Sequence, residues 1–124
     1  MFGRGGSGWM NITAHDTIGP DAVTFDQGQQ LYSMIYPQLQ EGQSVTVDFN
    51  GVEVFTSSFL NAAFGQLYRD MSSDFLRQHI TIENAPAYTM KLLGRVNKNA
   101  RRFYHDSAYQ SAVTTVLTEY AKEG

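Results

Sequence analysis

A strand, a polar turn and a helix follow one another near the middle of the chain, and this succession limits the possible folds most. Residues 43–49 alternate apolar and polar side chains, which predicts a strand with one buried face. Three consecutive hydroxyl residues, at 56–58, then precede an apolar pattern with helical spacing. Because hydroxyl side chains bond the unpaired N–H groups of a helix start, we expect a helix from about Ser57 to Met71.

A second helix is predicted upstream of this strand. Thr24 and Gln27 have the spacing of a capping box, in which each side chain bonds a backbone N–H of the other residue. Pro37 should kink or end this helix early, and Gly42 should provide a left-handed stop. The apolar residues expected on its buried face are Leu31, Ile35 and Leu39.

The remaining patterns complete an alternation of strands and helices. Met10–Asp16 and His79–Glu83 alternate as short strands. Further helices are expected from about Asn84 to Arg102 and from about 107 to 122. The order β-α-β-α-β-α-α predicts a small α/β sandwich, with helices packed on a short sheet and right-handed crossovers.

Length and composition suit one cytoplasmic domain. The chain has 124 residues, of which 1–9 are expected to be a flexible Gly-rich tail and 10–124 a single domain. It has no cysteine, hence no disulfide framework and no thiolate metal site. No apolar run approaches the roughly 20 residues that a membrane-spanning helix needs, so we expect a cytoplasmic protein with no membrane contact.

The charge is unevenly spread, although the formal net charge is −3. The stretch from Asn84 to His105 holds five cations and no acid. The common interpretation is the solvated face of a helix; a docking patch for an acidic partner comes second, and nucleic acid last. The residues of this stretch that could contact nucleic acid are Lys91, Arg95, Lys98, Arg101 and Arg102, with Tyr88, Phe103 and Tyr104 interleaved.

No pattern in the sequence indicates catalysis. His15, His79 and His105 lack the spacing of metal ligands, so no metal is expected. Ser57 lacks the G-x-S-x-G context of a hydrolase nucleophile, and no P-loop is present. We therefore expect a protein that is not an enzyme and needs no cofactor.

The three hydroxyl residues at 56–58 have two interpretations. One of them can be an ordinary helix cap, worth about 1 kcal/mol, but one cap does not account for three hydroxyls. The alternative is a regulatory site at Ser57 and Ser58. Asp48, near the end of the preceding strand, either is a buried carboxylate bonded to a neighbouring loop or orients these serines.

The Asp48–Val52 turn and the Thr56–Leu60 helix start resemble the STAS-like family, relatives of the bacterial anti-sigma-factor antagonists. In those antagonists the turn reads aspartate, serine, serine, glycine, and the first serine is phosphorylated. Ser57 matches that serine and Ser58 the next, whereas Thr56 and Phe59 replace the flanking aspartate and glycine. The resemblance implies a regulatory binding module whose partner is a histidine-kinase-like ATPase or a sigma regulator.

The predicted partner surface is the turn and the outward face of the following helix. It comprises Thr56, Ser57, Ser58, Phe59, Asn61, Ala62 and Gly65. Two rival functions stay open. One is small-molecule or nucleotide sensing, since an open α/β sheet offers a crevice at its strand carboxyl ends, near Asp48 and Ser57. The other is nucleic-acid binding by the basic stretch.

Overall fold

A computed structural model describes residues 9–105 of the protein, except for the side chain of His105. The strands are β1 Trp9–Thr13, β2 Asp21–Ala22, β3 Ser44–Asp48, β4 Val54–Phe55 and β5 Ile80–Glu83. The helices are α1 Ala14–Ile18, α2 Phe25–Gln40, α3 Ser57–Ala63, α4 Ser73–His79 and α5 Ala87–His105, with a 3-10 helix at Gly65–Arg69. The helix predicted over 107–122 lies outside the described residues, as does the predicted tail except Trp9, which belongs to β1.

The main sheet has three parallel strands in the order β1-β3-β5. Trp9 pairs with Ser44 and Thr13 with Asp48, and Asp48 in turn pairs with Glu83. Parallel neighbours require crossover connections: α2 lies in the connection from β1 to β3, and α3 and α4 lie in the connection from β3 to β5. The predicted α/β class is confirmed.

Strand β3 lies at the centre of the sheet and of the core. Val45, Val47 and Phe49 are almost fully buried, as their alternation predicted. Thr46 is on the opposite face, where its strand neighbours Asn11 and Thr81 are exposed, yet Thr46 itself is buried. Its hydroxyl is satisfied by the indole N–H of Trp9, which donates to Thr46 Oγ1 at 2.8 Å.

Helix α2 begins and ends at the predicted signals. The N–H of Gln27 donates to Thr24 Oγ1 at 3.1 Å, and the Gln27 side chain accepts from the N–H of Thr24 at 2.9 Å. Gly42 has a φ of 80° just beyond the last turn. Pro37 does not end the helix early, because the helix continues through it to Gln40. Ser33, whose carbonyl loses its helical partner to this proline, is exposed, so water can replace the lost bond.

Two predicted elements are shorter than expected. The first strand stops at Thr13, and the chain turns into α1 rather than continuing to Asp16. The helix predicted from Ser57 to Met71 breaks at Phe64, whose φ of −121° lies outside the helical range. The 3-10 helix that follows packs against α5, so the break turns the chain toward that helix.

A separate two-stranded parallel sheet, formed by β2 and β4, has no counterpart in the sequence prediction. Ala22 pairs with Phe55, and the N–H of Thr56 donates to the carbonyl of Ala22 at 3.1 Å. This pairing holds the start of α3 beside Val23. None of the helices among residues 9–105 is long and apolar enough to cross a membrane.

Candidate functional site

Thr56, rather than Ser57, is the N-cap of α3. Its backbone is extended, with φ −127° and ψ 162°, and the N–H of Phe59 donates to Thr56 Oγ1 at 3.2 Å. The same hydroxyl donates to the carbonyl of Val23 at 2.5 Å, which joins the helix start to the β2 segment. The ordinary cap therefore accounts for one of the three hydroxyls, and Ser57 and Ser58 occupy the first two helical positions.

The two serines have no structural task in the described part of the chain. Both are exposed, and neither hydroxyl bonds to another described residue. Their side chains are therefore open to solvent, to a modifying enzyme or to a partner. This is the arrangement that a regulatory hydroxyl requires.

The division of roles between the hydroxyls predicts unequal effects on stability. Thr56→Ala should lower the free energy of unfolding by about 1–2 kcal/mol, because it removes the cap and the bond to Val23. Ser57→Ala should change it by less than about 0.5 kcal/mol, as expected for an exposed side chain without partners. Urea denaturation of both variants measures the difference. A larger loss for Ser57→Ala would mean that the serine is the cap.

The predicted outward face of α3 is only partly outward. Phe59 and Ala62 are fully buried and Gly65 is buried, so these three residues lie inside the protein. Helix α2 approaches so closely that a Cβ on Gly28 would lie 2.5 Å from the Ala62 Cβ. Of the predicted surface, only Ser57, Ser58 and Asn61 are exposed, and Thr56 is half-buried.

Exposed apolar side chains surround the start of α3. Val23 follows β2, and its carbonyl accepts the bond from Thr56. Val54 lies in β4. The rings of Tyr88 and Phe55 pack edge to face, with centroids 6.3 Å apart. Phe25 lines a surface groove that also contains Asn61. The exposed fractions are 38% for Val23, 49% for Phe25, 45% for Val54 and 49% for Tyr88. Large apolar side chains grouped in this way on a surface are typical of a protein-binding site.

The sequence analysis missed Val23, although a signal was present. An apolar residue before a helix cap usually packs on the fourth residue of the helix. In α2 that position is Gly28, which offers no side chain, so Val23 has no partner there. Val54 carried no such signal, because a two-residue strand leaves no periodic pattern.

Asp48 bonds to the neighbouring loops and not to the serines. The Asn84 side-chain amide donates to Asp48 Oδ1 at 2.9 Å, and so does the backbone N–H of Asn50. The bond from Asn84, followed by that from Asn50, lowers the pKa of this carboxyl. Asp48 therefore bonds to a neighbouring loop, as the first of the two interpretations predicted, but it is half-buried rather than buried. It ties the end of β3 to the end of β5.

The basic stretch divides into two groups on α5. Four cations recur at intervals of three or four residues and share one exposed side of the helix, and these are Lys91, Arg95, Lys98 and Arg102. Arg101 belongs to another side, where it donates to Ser73 Oγ at 3.4 Å. The three aromatic residues do not interleave with the cations as predicted. Tyr88 donates to the Glu53 carbonyl at 3.0 Å, and the rings of Phe103 and Tyr104 pack edge to face and are half-buried.

The cavities lined by Leu76, by Phe25 and by Phe75 do not include Asp48 or Ser57, where a crevice was expected. A cavity of about 420 Å³ lies instead between α4, α5 and the 3-10 helix. His15 lies against Gly51, and His79 Nδ1 lies 2.8 Å from the Phe75 carbonyl oxygen. Within the described residues, no three acidic or imidazole side chains cluster as a metal site.

The model of a family described as a STAS-like domain of unknown function (DUF4325) matches residues 27–89. The matched segment includes most of α2, every element from β3 to β5 and the start of α5. Searches of curated proteins and of solved structures found no match.

Proposed function

The chain belongs to the family of STAS-like domains of unknown function, and on this premise we propose that it is a non-enzymatic regulatory module that binds a protein partner. The proposed docking surface is the exposed start of α3 and the apolar side chains around it. We name this surface the α3 surface. It comprises Val23, Phe25, Val54, Thr56, Ser57, Ser58, Asn61 and Tyr88.

The observation that carries the proposal is the position of two unbonded serine hydroxyls within an apolar surface. Because Thr56 caps the helix, Ser57 and Ser58 can be modified without loss of a structural bond. Because Val23, Val54 and Tyr88 are exposed nearby, the surface can bury apolar area against a partner. A histidine-kinase-like ATPase or a sigma regulator is the class of partner that the family resemblance implies.

Phosphorylation of Ser57 or Ser58 would act as a switch on this surface. A phosphate adds about −1.5 to −2 charges near neutral pH. On a surface whose neighbouring side chains are apolar, the new charge would have to lose its hydration when the partner binds. We therefore propose that the unmodified serine is the binding form and that phosphorylation releases the partner.

Ser57→Asp should weaken partner binding at least tenfold, or by about 1.4 kcal/mol, and leave folding within about 1 kcal/mol of wild type. The full chain, carrying a photo-crosslinking residue at Asn61, would first capture the partner from the cytoplasm of the source cell. The purified partner would then be titrated with wild type and with Ser57→Asp. Thermal melts of both proteins measure their stability.

Ser33→Asp is the matched control, since Ser33 is also exposed but lies on α2, away from the α3 surface. It should bind the partner like wild type. Equal affinities of Ser57→Asp and Ser33→Asp at unchanged stability would contradict the switch. A partner that crosslinks equally well from Gln78 on α4 would contradict the assignment of the docking surface.

A further inference from the structure

A cavity on the other side of α5 from the cationic stripe has one apolar and one polar end. It lies between the 3-10 helix, α4, β5 and α5, and its volume is about 420 Å³, within the range of small-molecule sites. Its apolar wall includes Leu67, Leu76, Ile80, Ile82 and Leu93. Its polar residues are Ser73, Arg77, Asn97 and Arg101.

The two arginines lie close to the same phenol. Burial raises the pKa of Tyr68, and the positive charges of Arg101 and Arg77 act in the opposite direction. Arg77 is paired with Asp74 at 2.5 Å. Arg101 has no acidic partner among the described residues and donates only a long bond of 3.4 Å to Ser73 Oγ. Arg101 is exposed at the mouth of the cavity, so its guanidinium is accessible to a ligand.

Asn97 provides an independent sign of a missing partner. It lines the cavity, and its Oδ1 atom is buried without a hydrogen bond. Buried polar atoms in native proteins nearly always have a partner, because an unbonded one costs about 1–3 kcal/mol. Asn97 lies four residues before Arg101, so the two side chains are one helical turn apart on the same side of α5.

The order of side chains along α5 gives this wall of the cavity a direction. Leu93 is apolar, Asn97 offers an acceptor one turn later, and Arg101 offers a cation one turn after that. A guanidinium binds a carboxylate through two parallel N–H bonds, so one free arginine suits one carboxylate. A nucleotide would bring several phosphate charges, but the cavity has no Gly-rich loop, and its second cation, Arg77, is already paired with Asp74.

We propose that this cavity binds a small amphipathic carboxylic acid that also carries a hydrogen-bond donor, such as a medium-chain hydroxy acid. The carboxylate binds Arg101, and the hydrocarbon chain packs on Leu93 and Ile82. Asn97 Oδ1 is covered in this structure, so the Asn97 side chain turns toward the cavity when the ligand hydroxyl donates to it. The site is distinct from the α3 surface. A protein with both sites would bind a protein and a metabolite on separate faces.

Three probes separate these interactions in isothermal titrations of the full chain: 3-hydroxydecanoate, decanoate and methyl 3-hydroxydecanoate. The hydroxy acid should bind saturably, and the methyl ester about tenfold more weakly because it cannot pair with Arg101. Decanoate should bind about fivefold more weakly than the hydroxy acid, since it leaves Asn97 Oδ1 without a donor. No saturable binding of the hydroxy acid at millimolar concentration, or equal binding of acid and ester, would overturn the proposal.

Two variants test the named residues, and both should fold. Arg101→Gln should lower the affinity for the hydroxy acid about tenfold and leave the affinity for the ester unchanged. Asn97→Leu removes the buried unbonded oxygen and should abolish the preference for the hydroxy acid over decanoate. Arg95→Gln, on the exposed stripe of the same helix, is the control and should bind all three probes like wild type. If Arg95→Gln and Arg101→Gln lowered the affinity for the hydroxy acid equally, the effect would come from the overall positive charge of the protein, and the assigned site would be overturned.

Discussion

Phe59→Ala should lower the free energy of unfolding by about 3–5 kcal/mol, a loss large enough to unfold much of a marginally stable domain. The side chain is fully buried. Its ring packs edge to face against Phe49 and Phe55, with centroid distances of 6.3 and 6.4 Å. Removing the ring leaves a cavity between α3 and the sheet that neighbouring helices cannot fill without moving. Urea denaturation, followed by circular dichroism, measures the loss.

Ser58→Ala is the matched control for this truncation, because Ser58 is the adjacent residue and is exposed. It should change the free energy of unfolding by less than about 0.5 kcal/mol. A Phe59→Ala protein as stable as Ser58→Ala would place the aromatic ring on the surface, as the sequence pattern had suggested. In that case Phe59 would belong to the partner-binding surface, as the sequence analysis predicted.

The parts of the fold that were predicted correctly have strong local signals. Strand β3 alternates apolar and polar residues and is followed by a turn. Helix α2 has both residues of its capping box and a glycine with positive φ beyond its end. In each case, residues within a few positions of one another fix the element. Tertiary packing had only to agree with that local preference.

The errors arise where distant segments decide the structure. Helical spacing correctly grouped Leu60 and Phe64, but it could not show that α2 and α5 cover α3 on two sides. Phe59 was therefore predicted to face outward. Similarly, three adjacent hydroxyls gave no basis for choosing the cap. The pairing of β4 with β2 selects Thr56, because it brings the Val23 carbonyl to the Thr56 hydroxyl.

Part of the candidate ligand cavity could have been predicted from the sequence. In a helix, Lys91, Arg95, Lys98 and Arg102 share one side, whereas Arg101 falls on the side of Asn97 and Leu93. The sequence analysis treated the five cations as one surface and so did not separate Arg101 from the other four. The unpaired state of Asn97 Oδ1 had no sequence signal, since it depends on what α4 and the 3-10 helix place opposite it.

Gly28→Ala should destabilise the protein by about 3 kcal/mol, whereas Gly94→Ala should stabilise it by about 0.5–1 kcal/mol. Both glycines lie inside helices, where alanine is normally preferred. A Cβ on Gly28, however, would collide with the Phe59 carbonyl oxygen and lie 2.5 Å from the Ala62 Cβ. Backbone atoms of α3 cannot move aside as a flexible side chain can, so α2 would have to separate from α3.

A Cβ on Gly94 would have no heavy atom within 4 Å, so this variant measures helix preference alone. The difference between the two variants then isolates the close contact of α2 with α3. That contact supports the buried side of α3. Gly28→Ala should therefore also disturb the α3 surface and lower the affinity for the captured partner, whereas Gly94→Ala should leave that affinity unchanged. Equal stabilisation by both substitutions would show that the helices are farther apart, and would remove the support on which the position of Ser57 and Ser58 depends.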